Sequence, residues 1–256
     1  RLAQSIPVHV AQLPSDRNFP GHPRQVEYRE GLYVGYRFHD SAGVPALFPF
    51  GSGLSYTTFD WSDVELSGDA VHRNDSAEPM ADDGRYTVSE ATALDVSVTV
   101  TNTGDRSGSD VVQVYIRDPE STVYRPHQEL AGFAKVHLAS GQSERVTIAL
   151  DRRSFAVWDV VSHDWVVEPG RYQVVVARSS VDPVEVVELD VESTQVVSPA
   201  PEPSDYVATD AEFAAMLGGP IPTPKSTRPF DRNSTLEDLE ATAVGRMLSS
   251  IVTREG

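Results

Sequence analysis

From Leu94 to Thr101 the chain alternates strictly: Leu94, Val96, Val98 and Val100 are apolar, and Asp95, Ser97, Thr99 and Thr101 are polar. A period of two places the apolar set on one face of an extended chain, which predicts a half-buried strand. The Asn102-Thr103-Gly104 turn closes it. The same reading runs on in both directions. Phe59, Trp61, Val64 and Leu66 predict an earlier strand with a break in its alternation, and a polar, turn-rich loop including Asp82-Asp83-Gly84 spans Ser67 to Ser89. Asp110 to Arg117 (DVVQVYIR) is nearly apolar on both faces, which predicts a central strand. Ala131 to Leu138 and Val146 to Leu150 follow, separated by Ser140-Gly141. Phe155 to Trp158 and Trp165 to Val167 predict a hairpin, Glu168-Pro169-Gly170 a turn, and Tyr172 to Val176 and Val184 to Val191 two further strands. Eight or nine short strands with no helical period between them predict a mainly β protein. The expected architecture is an antiparallel sandwich of the fibronectin type III or immunoglobulin kind over residues 59–191.

The first 58 residues lack this regularity. Residues 1–25 carry Pro7, Pro14, Pro20 and Pro23, each unfavourable to helix at and before itself, so an extended or looped course is expected. The next stretch, 26–59, sets Tyr28, Tyr33, Tyr36, Phe38, Phe48, Phe50, Tyr56 and Phe59 among Gly31, Gly35, Gly43, Gly51 and Gly53. Large rings beside residues without a side chain predict tight turns and close backbone approach. Leu32 to Phe38 reads as a strand, and Ala46 to Phe50 as a second short apolar run. Two such pieces bury no core of their own.

After residue 191 the pattern changes again. Pro199, Pro201, Pro203, Pro220, Pro222, Pro224 and Pro229 mark a linker. A helix is expected over Asp210 to Leu217, with Thr209 as N-cap, Asp210 and Glu212 in its first turn and Gly218 as its stop. A second is expected from Ser234, where Ser234 and Glu237 have capping-box spacing. Leu236, Leu239, Ala243, Met247 and Ile251 then form an apolar stripe that requires a surface to cover it.

Composition narrows the function. The formal net charge is -17, which repels nucleic-acid phosphates and anionic lipid and suits neutral ligands, so neither nucleic acid nor a membrane surface is expected as a partner. There is no cysteine, so disulfides, thiolate catalysis and cysteine-bound zinc are excluded, while the compartment stays open. No apolar run approaches the roughly 20 residues that span a bilayer, and no segment reads as a signal peptide.

Candidate chemistry is sparse. With 38 acidic residues no carboxylate pair selects itself for glycoside hydrolysis. Glu27 and Glu30 are the nearest candidates, and the plainer expectation has Glu30 holding backbone or an arginine such as Arg37. The histidines (His9, His22, His39, His72, His127, His137, His163) lack metal-ligand spacing. His39-Asp40 and His163-Asp164 are adjacent pairs, and neighbours on a strand face opposite ways. Gly51-Ser52-Gly53 lacks the lysine of a phosphate loop and reads as a turn. Trp158 and Trp165 would suit a sugar platform, although sandwich aromatics more often belong to the core. Asn74-Asp75-Ser76 and Asn233-Ser234-Thr235 are formal glycosylation sequons. The long connection Asp118 to Phe133 (DPESTVYRPHQELAGF) is expected to dock rather than to bind a ligand.

Several blocks together resemble a known family. VEYREGLYVGYRFHD followed by ALFPFGSGLSYTTF resembles the end of the second domain of family 3 glycoside hydrolases, the β-glucosidase and β-xylosidase type. LAQSIP and NFPG look like the same family. NTGDRSGSDVVQVYIRDP, YRPHQELAGFAKVHL and EPGRYQVVVARSS resemble its fibronectin type III-like domain, and MLGGPIP with FDRNSTLEDL is similar to C-terminal extensions of bacterial members.

The resemblance implies three regions: residues 1–58 as the end of an α/β-sandwich domain, 59–191 as the fibronectin-like domain, and 192–256 as a Pro-rich linker with a helical C-terminal extension. It implies a retaining β-glycosidase whose aspartate nucleophile and glutamate acid/base lie upstream of Arg1, so no catalytic, metal or cofactor-binding residue is assigned and no cofactor is expected. The implied partners are the catalytic domains or a separate catalytic chain, with a β-linked oligosaccharide or glycoside as substrate. A homo-oligomer and a stand-alone carbohydrate- or protein-binding module stay open.

Overall fold

The computed structural model describes residues 1–19, 21, 25–68, 71–73, 86–89, 93–198, 205–223, 230, 236–240 and 242–252. Two sheets pack face to face. The smaller has three strands in the order Phe59–Ser67, Leu94–Asn102, Ser143–Leu150. The larger has six, in the order Val71–Arg73, Tyr86–Ser89, Asp182–Glu192, Gly170–Ser179, Gly108–Arg117, Glu129–Leu138. Pairing is antiparallel except between Tyr86–Ser89 and Asp182–Glu192, which run parallel. Val157–Asp159 and Asp164–Val166 form the expected hairpin, with Trp158 opposite Trp165.

Leu94, Val96, Val98 and Val100 are buried, and they face Val112, Val114 and Ile116 together with Tyr172, Val174, Val176 and Leu189 from the larger sheet. The break in alternation after Trp61 is a bulge: the register with Leu94–Asn102 shifts between Ser62 and Glu65, and Asp63 takes a positive φ of 53°. Gly132 lets the edge strand close on the smaller sheet, because a Cβ there would meet the Ile148 side chain at 2.5 Å. The turn after Asn102 is held by that residue itself. Its buried amide donates to Arg106 O at 2.7 Å and Leu138 O at 3.0 Å, and its Oδ1 accepts from Thr57 Oγ1 at 2.6 Å and Gly104 N at 3.1 Å.

Three expectations are corrected. Leu32 to Phe38 is not a strand: turns lead into an α-helix, Tyr36–Ala42, because Gly35 (φ 59°) sets its start and Gly43 (φ 63°, left-handed) ends it. The expected loop from Ser67 to Ser89 contains two short strands, Val71–Arg73 and Tyr86–Ser89, recruited at the edge of the larger sheet. The single helix expected from Ser234 is two, Leu236–Leu239 and Ala243–Val252. Thr242 divides them: its hydroxyl donates to Leu239 O and accepts from Gly245 N.

Residues 1–25 hold two 3-10 turns, Val10–Gln12 and Pro14–Asn18, with Pro14 at the first position, where its missing N–H costs nothing. Ile6–Pro7 pairs with Ala46–Phe48. The helix after Thr209 forms over Asp210–Met216, its reciprocal Thr209–Glu212 capping box complete, and Gly218 adopts φ 68° just beyond it. The Asp82-Asp83-Gly84 turn, both sequons, His22, the Ser234 capping box and the prolines at 20, 23, 199, 201, 203, 224 and 229 lie outside the described residues. Among the described residues, no helix is long and apolar enough to cross a membrane.

Candidate functional site

The larger sheet is covered on both faces, as the DVVQVYIR run predicts. Val112, Val114 and Ile116 point into the sandwich core, while Tyr115 joins Val175 and Ala177 on the outer face. Tyr36, Phe50 and Leu130 cover that outer patch. The Tyr36 ring lies 4.9 Å from Phe50 and 5.8 Å from Tyr115, and its hydroxyl accepts Leu130 N–H at 2.8 Å. Phe50 O accepts Ser180 N–H at 2.9 Å. Gln113, 3% exposed, donates to Arg178 O at 2.7 Å and accepts the Tyr115 hydroxyl at 2.7 Å. Gly51 (φ 79°) packs so closely on the Gln113 amide that a Cβ would overlap it. Burial pushes the Tyr115 phenol up, so it stays a neutral donor.

The first residues clamp the same seam. The Leu2 N–H donates to Ser52 O and Gly51 N–H to Leu2 O, both at 2.8 Å. Arg1 pairs through Nη2 and Nε with Asp110, a buried carboxylate that also accepts Val111 N–H at 2.9 Å and Trp61 Nε1 at 3.3 Å.

The Asp118-to-Phe133 connection docks on the same segment, as expected, and the structure shows how. Its base is tied to the sandwich: Glu168 accepts Ser121 Oγ at 2.7 Å and Thr122 N–H at 3.1 Å, and the Arg125 guanidinium lies 3.0 Å from Glu129 and 3.6 Å from Asp118. Its far end meets the 36–42 helix. His127 N–H donates to Ser41 Oγ at 2.9 Å, and Gln128 Nε2 to Asp40 Oδ2 at 2.7 Å. The Tyr33 ring packs tilted against Tyr124 at 4.5 Å and edge-on against Tyr206 at 4.9 Å. A cleft of about 550 Å³ follows this line, lined by Tyr33, Tyr124, Tyr206, Arg117, Asp118 and His127 among others. Burial shifts its charged groups: the Asp118 carboxyl is raised, and the Arg117 guanidinium and His127 imidazole are lowered, the last also by Arg117.

The other side of residues 1–58 is open. Leu54 is 106% exposed, Tyr56 93%, Phe19 73% and Tyr28 72%; Val10, Val26, Leu32, Val34, Leu47 and Phe48 are exposed as well. Buried polar atoms without a hydrogen-bond partner among the described residues include Ser5 Oγ, Asn18 Nδ2, Glu30 Oε2, Arg37 Nε and His39 Nε2.

The sequence candidates disperse. Glu27 pairs with Arg29 at 2.6 Å. Glu30 is 7% exposed and does not hold Arg37, which faces Glu129 at 3.8 Å. His39 and Asp40 sit on a helix rather than a strand, with His39 Nδ1 on Val44 O at 2.8 Å and Asp40 on Gln128. His163 lies in the hairpin turn at φ 54° and His137 meets Ser109 Oγ at 3.0 Å. Among the described residues, no cluster of three or more His, Cys, Asp or Glu is placed for a metal. Trp158 is half-exposed and meets Trp165 edge-on at 5.6 Å, while Trp165 packs on the core beneath the Arg153 guanidinium at 3.6 Å. The sequence presents Asp40 only as a neighbour of His39, and Gln113 and Gln128 not at all. The glycine bracket 35/43, a helix length apart, signals the helix that carries Asp40, and Gln113 is a polar residue in a largely apolar strand, whereas nothing local marks Gln128 within its polar connection.

Comparisons with known proteins agree on one family. Residues 110–180 match the fibronectin type III-like domain model. The chain is 37% identical over 255 residues to a thermostable β-glucosidase B of Acetivibrio thermocellus, covering 98% of this chain and 32% of that protein. It is 41% identical over 218 residues to an exo-α-(1→6)-L-arabinopyranosidase of Bifidobacterium breve, covering 85% and 26%. Among solved structures, a GH3 β-glucosidase of Bifidobacterium adolescentis superposes with a TM-score of 0.64 at 31% identity, covering 96% of this chain and 29% of that one. β-Glucosidase 3B of Thermotoga neapolitana, bound to α-D-glucose, gives 0.61 at 35% identity over 73% of this chain and 24% of that one. The chain thus spans about a third or less of the length of the relatives it matches.

Proposed function

We propose, for a chain that belongs to the family 3 glycoside hydrolases as their C-terminal, fibronectin-like part, that it is the non-catalytic brace of a retaining β-glycosidase. The sandwich serves as a rigid base. Residues 1–58 are the final part of an α/β-sandwich domain, held on that base by the seam and presenting their open face to the catalytic domains. The complete enzyme hydrolyses β-linked sugars from the non-reducing end by double displacement, with its two carboxylates on those other domains. The relatives include both β-glucosidases and an arabinopyranosidase, so the sugar is set outside this chain.

The observation that carries this reading is the contrast across residues 1–58: one side is fixed to the sandwich by Tyr36, Phe50, Gly51 and Arg1, and the other exposes Phe19, Tyr28, Leu54 and Tyr56. An exposed apolar patch of this kind marks an interface. The test mixes this chain with the separately produced catalytic domains and follows aryl β-glucoside hydrolysis. The chain alone is expected to be inert and the mixture active, with Leu54→Asp plus Tyr56→Asp reducing recovery at least tenfold. Turnover by the chain alone that Glu30→Gln abolishes would refute the reading.

A further inference from the structure

We propose that the seam between the 36–42 helix and the sandwich is a pH-sensitive latch whose working contact is that of the Asp40 carboxyl group with Gln128. This goes beyond bracing, because it makes the hold on residues 1–58 adjustable.

The geometry begins with Gln128, which is 1% exposed and fully bonded. Its Oε1 accepts from Arg117 Nε at 3.1 Å and Nη2 at 2.9 Å; its Nε2 donates to Ser180 O and to Asp40 Oδ2, both at 2.7 Å. The two guanidinium bonds fix the orientation of the amide, so its NH2 group must face Asp40. Asp40 therefore meets a neutral amide, and Arg117 reaches it through that amide. A carboxylate shielded this way loses hydration without full compensation. Burial accordingly pushes the Asp40 carboxyl up to about 6, against weaker opposing effects from Gln128, His39 and Arg117.

Other titratable groups face the same place. His39 shares the helix, with Nδ1 on Val44 O. Arg37, one turn away, turns to Glu129. Arg117 and Tyr115 approach from the Gly108–Arg117 strand, His127 from the docking connection, and Tyr206 from beyond the sandwich, donating to Ser41 O at 2.8 Å. Burial lowers the His127 imidazole, and the Arg117 charge lowers it further.

The sign follows from linkage. Asp40 binds its proton more tightly with the seam closed than open, where its value is the ordinary one near 4. Its contribution to closure is complete below about pH 4, declines as pH rises to about 6, and is flat above that. A rise from near 4 to about 6 corresponds to a change of up to about 100-fold in the closed-to-open ratio; partial exposure of the carboxyl brings this to about tenfold or more.

Hydrogen exchange reads the latch directly. His127 N–H, Leu130 N–H and Ser180 N–H are bonded across the seam, to Ser41 Oγ, Tyr36 OH and Phe50 O. Between pH 4 and 6, with intrinsic exchange rates divided out, their protection is expected to fall about tenfold or more relative to Val114 and Val175, which are held in the sheet ladder. Asp40→Asn is expected to abolish that fall and keep the seam protected throughout. Constant protection in the parent chain overturns the proposal, as does an undiminished fall in Asp40→Asn, which would place the effect on another group. Should Asp40→Asn lower the Val114 and Val175 protection too, a carboxyl-carbon NMR titration of the parent chain decides: a midpoint near 6 at Asp40 upholds the latch and one at or below 4 overturns it. The test needs no catalytic partner, so its outcome is separate from that of the bracing role.

Discussion

The sandwich and the segment in front of it use the same kinds of residue to opposite ends. In the sandwich, valines and leucines on two sheets find one another in one core: Leu94, Val112, Leu138, Tyr172 and Leu189 are all fully buried, and the apolar side chains left outside, such as Phe133, Val160 and Val181, lie at turns and edges. In residues 1–58 the aromatics divide. Tyr36 and Phe50 seat on Tyr115 and Val175, while Tyr28, Leu54 and Tyr56 face outward. A β-sheet supplies a repeating surface that a second sheet can match, so the sandwich closes on itself. One seven-residue helix, two 3-10 turns and a two-stranded ladder supply no such surface. They borrow the outer face of the larger sheet for one side and leave the other uncovered. The lesson is that burial here marks where a region is self-sufficient, and exposure marks where it belongs to something larger.

The contrast breaks most visibly at Tyr172, whose ring packs edge-on against Phe155 at 5.7 Å and whose hydroxyl donates to Glu168 O at 3.1 Å. Tyr172→Ala is expected to cost about 3–5 kcal/mol and to melt the whole sandwich cooperatively. Leu54→Ala, by comparison, should leave the urea midpoint within experimental error. Equal losses from the two would show that residues 1–58 share the core after all.

Gly51→Ala sharpens the comparison at the seam. A side chain at φ 79° is strained, and its Cβ would displace the Gln113 amide. A local cost of about 1–3 kcal/mol is expected. Proteolysis within 1–58 should accelerate while fragment 59–191 survives. Parallel loss of both would mean that the seam stabilises the sandwich as strongly as the sandwich stabilises the seam.

The smallest effect is expected beyond the sandwich. Thr209→Ala removes the hydroxyl half of the capping box, leaves the backbone N–H of residue 209 on the Glu212 carboxylate, and should cost about 1 kcal/mol or less, confined to the Asp210–Met216 helix. Amide exchange should rise at Glu212 and Phe213 and stay unchanged at Ser180. A spread to the seam would tie this helix to the latch.

Legibility followed the length of each pattern. Leu94 to Val100 gave a long alternation, and the bulge at Ser62–Glu65 was visible as a break in one. Leu32, Val34, Tyr36 and Phe38 also alternate, and this misled: four residues of period two cannot outweigh a glycine at each end of a helix. Val71–Arg73 and Tyr86–Ser89 carry little signal because an existing sheet edge supplied their pairing. The stripe from Leu236 to Ile251 read as one helix because periodicity ignores what Thr242 does with its hydroxyl. Of the candidate site, the docking of the 118–133 connection was readable from its length and polarity. The identity of Asp40 and Gln128 was not, since neither residue type nor spacing distinguishes them from other polar residues on the surface.

The sequence by itself determined the sandwich, the turns that separate its strands, the absence of cysteine chemistry and the family resemblance, because each rests on residues close together in the chain. Tertiary structure alone decided which face of residues 26–59 is held and which is open, and what Asp40 experiences. Its neighbours Gln128, Arg117 and Ser180 lie far along the chain, and desolvation is a property of the packed seam rather than of any local pattern.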